Sequence, residues 1–356
     1  MGDQVSRWWA RAPWWQRWAV YALAIVGALL LPNATFMTPA AHWPTVLFYP
    51  IGGFVLLAIG LNVVVGQAGL LDLGYVAFFA IGGYTMAVLG TKFGLGFWEI
   101  MPLAIVISAA AGVILGAPTL RLRGDYLAIV TLGFGEIVRV VAENTEYLGA
   151  SRGIVGIPHP PPMLGLEFGV DPLPYYYLLV ALAVLVIIFV RRLEKSRVGR
   201  AWAAIREDED AAEIMGVPTF RFRILAFMIG SAIGGVTGVL FAAKTIAILP
   251  TNFPFLLSAI VLVCVVFGGS GNLPGVILGA FLIAWLPERF RGFEDYRVLV
   301  FGAVLVVMMA FRPEGLLPSR RRKAELTEGT GGMGALGAEV GGPGGTVPPE
   351  EVKVSK

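Results

Sequence analysis

Ten apolar stretches, 15–31, 44–65, 75–91, 97–117, 126–142, 174–190, 222–243, 254–268, 273–287 and 296–311, follow one another, separated by short connections except at 143–173 and 191–221. A helix needs about 20 apolar residues to cross a hydrocarbon core roughly 30 Å thick. Several of these runs are close to that length, and others are shorter or interrupted by glycine. Only 14% of the residues are charged, against about 25% in soluble domains, so the chain cannot cover a water-facing surface of ordinary polarity. The expected fold class is therefore all-α, a polytopic membrane protein with about ten transmembrane helices.

Lysine and arginine orient such a bundle, because they accumulate on the cytoplasmic side. With the N-terminus inside, eighteen of them fall on cytoplasmic segments. These include Arg7, Arg11, Arg17, Arg121 and Arg123, eight in the 191–223 loop, and Arg312 with Arg320–Lys323. Six fall outside: Lys92, Arg152, Lys244, Arg289, Arg291 and Arg297. Both termini are thus expected in the cytoplasm, with an even number of spans and a multi-pass location in the inner or plasma membrane. Residues 1–14 form a cytoplasmic segment, 15–316 the transmembrane domain, and 317–356, without apolar periodicity, a disordered tail. Trp8, Trp9, Trp14, Trp15 and Trp18 suit an interfacial belt, and no small-residue cleavage site follows the first run, which argues against a removable leader. Against this background the net charge of +3 does not point to nucleic acid. The one cysteine, Cys264, founds no disulfide framework.

Two connections stand out. Residues 143–173 form the longest outer loop, rich in Gly and Pro. The patch GQAGLLDLGY (66–75) reads as a broken or re-entrant element rather than a clean turn. Gly66-x-x-Gly69 and Gly268-x-x-Gly271 each follow a span, a faint sign of the internal repeats from which many transporters are built.

Enzyme chemistry finds little support. His42 and His159 lie in outer loops without metal spacing, no nucleophile elbow or Cys/His pair can be assembled, and no phosphate loop of the GxxxxGK[ST] type occurs. No metal or cofactor is expected of this chain. Polar residues within spans are then the best pointers, since burying charge there is costly. Glu136 and Arg139 sit one helical turn apart and suit either a path or gate or a structural ion pair. Asp72 is expected to cap a helix after the break, while Asn62 and Gln67 suit interhelical hydrogen bonds. Thr131 joins these as a path or gate candidate. Gly230, Gly234, Gly235 and Gly238 have the small-xxx-small spacing of close helix packing.

The 191–221 loop is the sharpest feature. Asp208 is placed to cap a short helix with an acidic first turn, and Gly216 followed by Pro218 to stop it. Ala211, Ala212, Ile214 and Met215 provide apolar contact points, with Trp202 and Ile205 earlier. The acidic cluster Glu207–Asp210 argues against rest on anionic lipid and favours a protein partner.

Four blocks carry a family resemblance: GLNVVVGQAGLLDLGYVAFFAIGGYT, LRLRGDYLAIVTLGFGEIVRVV, RVGRAWAAIREDEDAAEIMGVP and VFGGSGNLPGVILGAFL. Over about residues 55–316 the chain resembles the LivM-type permeases of bacterial branched-chain amino-acid ABC importers. Asp210-Ala211-Ala212 followed by Gly216 is similar to the EAA…G motif of coupling helices, with Asp in place of Glu. The resemblance implies a ten-span, type II-like importer permease. It also implies a second related permease subunit, two cytoplasmic ATPases that hold ATP and Mg, and an outer solute-binding protein facing 143–173 and 244–253. The substrate would be a small zwitterionic amino acid, in a membrane lipid setting. Arg200, Trp202, Glu207, Asp208, Asp210, Ala211, Ala212, Glu213 and Gly216 would then make the ATPase contact. In the long loop, Ala150-Ser151-Arg152-Gly153 replaces the Thr-Gly-Gly element usual in the family. The residues leave open a urea or short-amide ABC permease, and a stand-alone channel or ion-coupled carrier working through Glu136 and Asp72.

Overall fold

A computed structural model of the chain describes residues 26–33, 43–119, 125–162 and 167–289, with residues 23, 165, 302, 306 and 315–317 in addition. The chain divides into two compact units, Met1–Pro318 and Ser319–Lys356, and all the described residues belong to the first. The tryptophan belt, Arg121, Arg123, most of the expected first and tenth spans, and the tail from 318 onward lie outside the described residues.

The described chain is predominantly helical. In order it forms α1 (Trp43–Gln67), α2 (Val76–Lys92), α3 (Phe97–Thr119), α4 (Asp125–Asn144), α5 (Leu173–Glu194), α6 (Arg197–Glu207), α7 (Glu209–Ile214), α8 (Thr219–Thr245), α9 (Phe255–Gly268) and α10 (Leu273–Arg289). The expected spans from 44–65 to 273–287 each coincide with one of these helices. Five segments, Trp43–Gln67, Phe97–Thr119, Leu173–Glu194, Thr219–Thr245 and Pro250–Gly268, are long and apolar enough to cross a membrane, and α2 is a shorter apolar helix.

The core is organised around α8, whose 27 residues span about 40 Å at 1.5 Å per residue. Its glycines lie against neighbouring helices with no room for a side chain. A Cβ on Gly238 would lie 2.1 Å from the Phe79 carbonyl oxygen of α2, and one on Gly235 2.2 Å from Ser108 Oγ of α3. Only hydrogen fits there, so the small-xxx-small spacing does what it was expected to do: it lets α2 and α3 close on α8. Where hydrocarbon gives no hydrophobic drive for helix association, such backbone proximity is what holds a bundle together.

Each end of α8 carries a distinct structure. At its C-terminal end, β1 (Ile154–Val155) and β2 (Ala247–Ile248) pair antiparallel, Ile154 opposite Ile248. This two-residue ladder joins the long 143–173 loop to the 244–253 connection, and Lys92 Nζ braces it by donating to the Tyr147 carbonyl at 2.6 Å. At its N-terminal end lie α6 and α7. Between α1 and α2 the helical ladder fails: α1 widens to π geometry over Asn62–Gln67, and residues 68–75 are non-helical before α2 begins. The irregular 66–75 patch is thus a helix break lined by buried side chains, with Asp72 and Tyr75 fully covered. Buried irregular backbone survives only where protein satisfies it.

Candidate coupling loop and charged site on α4

Local sequence dictates the α6–α7 loop. The Ser196 hydroxyl caps α6 by accepting from the Val198 amide at 3.1 Å. Asp208 breaks the helix in extended geometry and caps α7, its Oδ1 accepting from the Ala211 amide at 2.9 Å. α7 ends in a Schellman motif: the Val217 amide donates to the Ala212 carbonyl, the Gly216 amide to that of Glu213. Gly216 stands at φ +85°, which a residue with a Cβ reaches only with strain.

Long-range contacts then fasten the loop to the bundle. Trp202 is completely buried and its Nε1 donates to the Phe222 carbonyl at 2.7 Å. Glu209 pairs with Arg223, whose side chain is only 5% exposed. Arg206 Nη1 donates to the carbonyl of Gly66, at the π-helical end of α1. Gln67 Nε2 reaches Glu194 Oε1 at the end of α5, 2.7 Å away. Asn62 Oδ1 accepts from the Gly271 amide at 2.9 Å. The Gly66 and Gly271 elements, noted in sequence as similar, therefore meet in space. A Cβ on Gly271, at φ +82°, would lie 2.9 Å from the Gly66 oxygen.

Within the loop the residues named from sequence divide into two sets. Arg200, Glu207, Asp208, Asp210, Ala211, Glu213 and Gly216 are exposed. Trp202 and Ala212 are not, so these two brace the loop from within and do not offer themselves to a partner. The most exposed apolar side chains of the loop are Ile214 and Met215, at 85% and 83%. Sequence reading counted them as contact points without seeing that they form the tip. The signal was there: both follow the capped acidic turn and immediately precede the Gly216 stop.

A second cluster lies around the break. Thr131 Oγ1, on α4, accepts from the Leu73 amide at 3.0 Å. Asp72 Oδ1 accepts from the Gly74 amide at 2.9 Å, closing a turn before α2. The expectation that Asp72 caps the helix is corrected by this geometry: Ser258 Oγ of α9 takes the Val76 amide instead, at 3.1 Å. Tyr75 Oη donates to the Gly230 carbonyl of α8 at 2.8 Å. Next to the break, Arg139 Nε donates to Glu136 Oε2 at 2.8 Å and its Nη1 to Glu143 Oε2 at 3.0 Å. These side chains remain 30–44% exposed. Glu136 and Arg139 border a small hollow that Leu73, Phe253, Pro254 and Phe255 also line, beside which Val76, Ala77 and Ala80 are already buried.

Among the described residues no cluster of His, Cys, Asp and Glu is placed to hold a metal ion. The stretch Gly149-Ala150-Ser151-Arg152-Gly153 does carry GxSxG spacing, but Ser151 lies in a 3-10 turn, Ala150–Arg152, and not on a strand-to-helix elbow. It has none of the geometry that exposes a nucleophile in that motif.

Comparison with known proteins agrees with this architecture. Residues 46–309 match the family model described as "Branched-chain amino acid transport system / permease component". The chain is 46% identical over 299 residues to the high-affinity branched-chain amino acid transport system permease protein LivM of Salmonella typhimurium, covering 78% of this chain and 70% of that protein. LivM of Escherichia coli is 45% identical over the same shares. A second permease protein of such systems, LivH of Escherichia coli, is 30% identical over 132 residues, 36% of this chain and 42% of its own. No solved structure matches. The chain is a membrane protein that belongs to the branched-chain amino acid transport permease family.

Proposed function

We propose that this chain is the permease subunit of an ABC importer of branched-chain amino acids, driven by ATP hydrolysed on separate subunits. The observation that carries the reading is the α6–α7 loop: a capped, rigid element fastened at three points to the bundle and presenting an apolar tip, Ile214 and Met215, within acidic side chains. A stand-alone channel or carrier has no use for such a handle, and the relatives' names favour amino acids over urea or amides. Two cytoplasmic ATPases grip the loop, a LivH-like permease completes the path, and a solute-binding protein delivers substrate to the β1–β2 end. Both termini and the 191–221 loop lie in the cytoplasm of a cell whose inner membrane holds the ten-span, type II-like bundle of residues 15–316. Segments 1–14 and 317–356 flank it. The chain needs no cofactor of its own, because ATP and Mg sit on the ATPases.

In this reading, closure of the ATPase dimer moves α6–α7 as one body. Arg206 and the Glu209–Arg223 pair pass the displacement to the ends of α1 and α8. The hydrogen-bonded break at 68–75 is where α1 and α2 can change their relation without losing internal ladders.

The test is reconstitution with a LivH-like permease, the ATPases and the binding protein in proteoliposomes. ATP-dependent uptake of leucine, isoleucine or valine is expected. The Ile214→Glu, Met215→Glu double variant should insert and fold normally yet lose uptake; full uptake by it would refute the loop as the coupling element.

A further inference from the structure

The segment that links α5 to α8 changes sign along its length. Residues 191–200 carry five basic side chains and one acidic one, whereas 201–213 carry one basic and five acidic. The single carboxylate of the basic half, Glu194, accepts from Gln67 Nε2 at 2.7 Å and is partly buried. The exposed charges of that half are Arg192, Lys195, Arg197 and Arg200, all cationic. The importer reading gives the acidic tip a partner and leaves this basic root without one.

The root has a definite place on the bundle. α5 is long and apolar enough to cross a membrane, and toward its C-terminal end Leu185, Ile188 and Phe189 stand 62%, 51% and 44% exposed. Spacings of three and four residues put these on one face of the helix. Arg192 and Lys195, both exposed, continue the same stripe. From Leu185 to Arg192 the helix rises about 10 Å at 1.5 Å per residue, and over that length one face passes from bare hydrocarbon to bare cation. A lipid-facing helix changes in this order where it leaves the acyl chains for the headgroups, its long basic side chains reaching out to the interface. Beyond the Ser196 cap the cations stay close, since Arg200 Nη1 donates back to the Lys195 carbonyl at 3.4 Å. Cations gathered directly beyond a span fit the phosphates of anionic lipid, whose surface potential attracts them.

We propose that Arg192, Lys195 and Arg197 form a dock for the headgroups of anionic phospholipid, with Leu185, Ile188 and Phe189 against the acyl chains beneath. The dock rests on α5 crossing a membrane and not on what the protein carries. It divides the segment between two partners: lipid holds the basic root, and the acidic tip with Ile214 and Met215 is left for a protein. Trp202, buried beneath α6, fixes the root from the other side. A zwitterionic headgroup offers the same phosphate with its charge already balanced by an ammonium, so net charge is what the cations select.

The test is made on the full chain in proteoliposomes. The native Cys264 is buried, so a fluorophore attached at Phe189→Cys reads the lipids beside the stripe. Spin-labelled phosphatidylglycerol should quench it with an apparent affinity roughly 5-fold or more above that of spin-labelled phosphatidylcholine, and about 0.5 M salt should remove most of the difference. Adding Arg192→Gln, Lys195→Gln and Arg197→Gln should abolish the preference, whereas Arg192→Lys with Arg197→Lys, which keeps the charge, should retain it. Equal quenching by the two lipids in the chain that keeps its cations would overturn the dock, even where the glutamine variant fails to fold. So would a preference that survives the three glutamines. No quenching by either lipid would show the stripe covered by protein and overturn it as well. Every arm reads lipid contact and none needs transport, so failure of the importer reading would leave these results unchanged.

Discussion

Replacing Glu209 by alanine leaves the Arg223 guanidinium buried, at 5% exposure, with the carboxylate it pairs with gone and its Nε already without a hydrogen-bond partner. Breaking a fully buried ion pair by removing one side costs about 3–5 kcal/mol, whereas an exposed pair is worth about 0–1 kcal/mol. Glu209 is 26% exposed, so water relieves part of the stranded charge and about 2 kcal/mol is a reasonable value. The Trp202–Phe222 hydrogen bond, worth about 1 kcal/mol, still holds α6. The loss therefore falls on α7 and on the joint with α8. At 1.36 kcal/mol per decade, 2 kcal/mol raises the detached population of the loop about 30-fold. Amide hydrogen exchange reads that population directly. The amides of Ala211 and Val217, which bond to Asp208 and Ala212, should exchange about 30-fold faster, while those of α8 beyond Ala226 stay protected. ATP-driven uptake should fall in step. The double variant Glu209→Leu, Arg223→Met removes both charges together and should recover most of the protection, since an apolar pair can replace a buried ionic one. A change below about 3-fold in the single variant, or a double variant no better than the single, would refute the pair as the clamp on α7.

Gly238→Ala should lower thermal stability in detergent by about 3 kcal/mol. The new methyl would meet backbone at 2.1 Å and 2.6 Å on α2, contacts relieved only by moving a helix. Gly133→Ala, with nothing within 4 Å of the added carbon, should be neutral or stabilising by up to about 1 kcal/mol; equal effects of the two would deny the close approach. Trp202→Phe removes the indole hydrogen bond to the Phe222 carbonyl and leaves a fully buried side chain smaller, and a differential melting measurement should register a loss of about 1–2 kcal/mol. Arg206→Met should leave insertion and ATP hydrolysis in place and lower amino acid moved per ATP several-fold. An unchanged ratio would remove Arg206 from the transmission.

What could be read from the sequence was whatever is encoded locally. The caps Ser196 and Asp208 and the stop at Gly216 depend on neighbours within five residues, and Asp208 and Gly216 were legible at their own positions. The helices coincide with apolar runs for the same reason. Contacts that decide the site are distant: Asn62 and Gly271 are separated by 209 residues, Arg206 and Gly66 by 140, Val76 and Ser258 by 182. No spacing rule reports these. Asp72 shows the consequence. An aspartate after a break is a sound cap in isolation, but Ser258 of a later helix had already taken the amide. The direction in which α6 and α7 face was also hidden, because Trp202 and Ala212 are as suitable for a partner's groove as for this chain's own core. The two-residue β1–β2 ladder is too short to leave a period-2 trace.

The position of α8 shows how the α6–α7 loop and the β1–β2 end would share one mechanism in the importer reading. Its first turns carry Arg223 and the Phe222 carbonyl, which hold the loop, and its last turn leads within two residues into β2. Between them the Gly230 carbonyl receives Tyr75 from the break, and Gly235 and Gly238 sit against α3 and α2. A helix with every internal bond satisfied does not stretch, so a displacement applied at Arg223 reaches the ladder and the break together and does not dissipate along the way. The charged pair on α4 stands outside that shaft, bound to the break through Thr131 and Leu73. In the importer reading, movement of the shaft would therefore shift α2 against α4 at the Leu73–Thr131 hydrogen bond, beside the break.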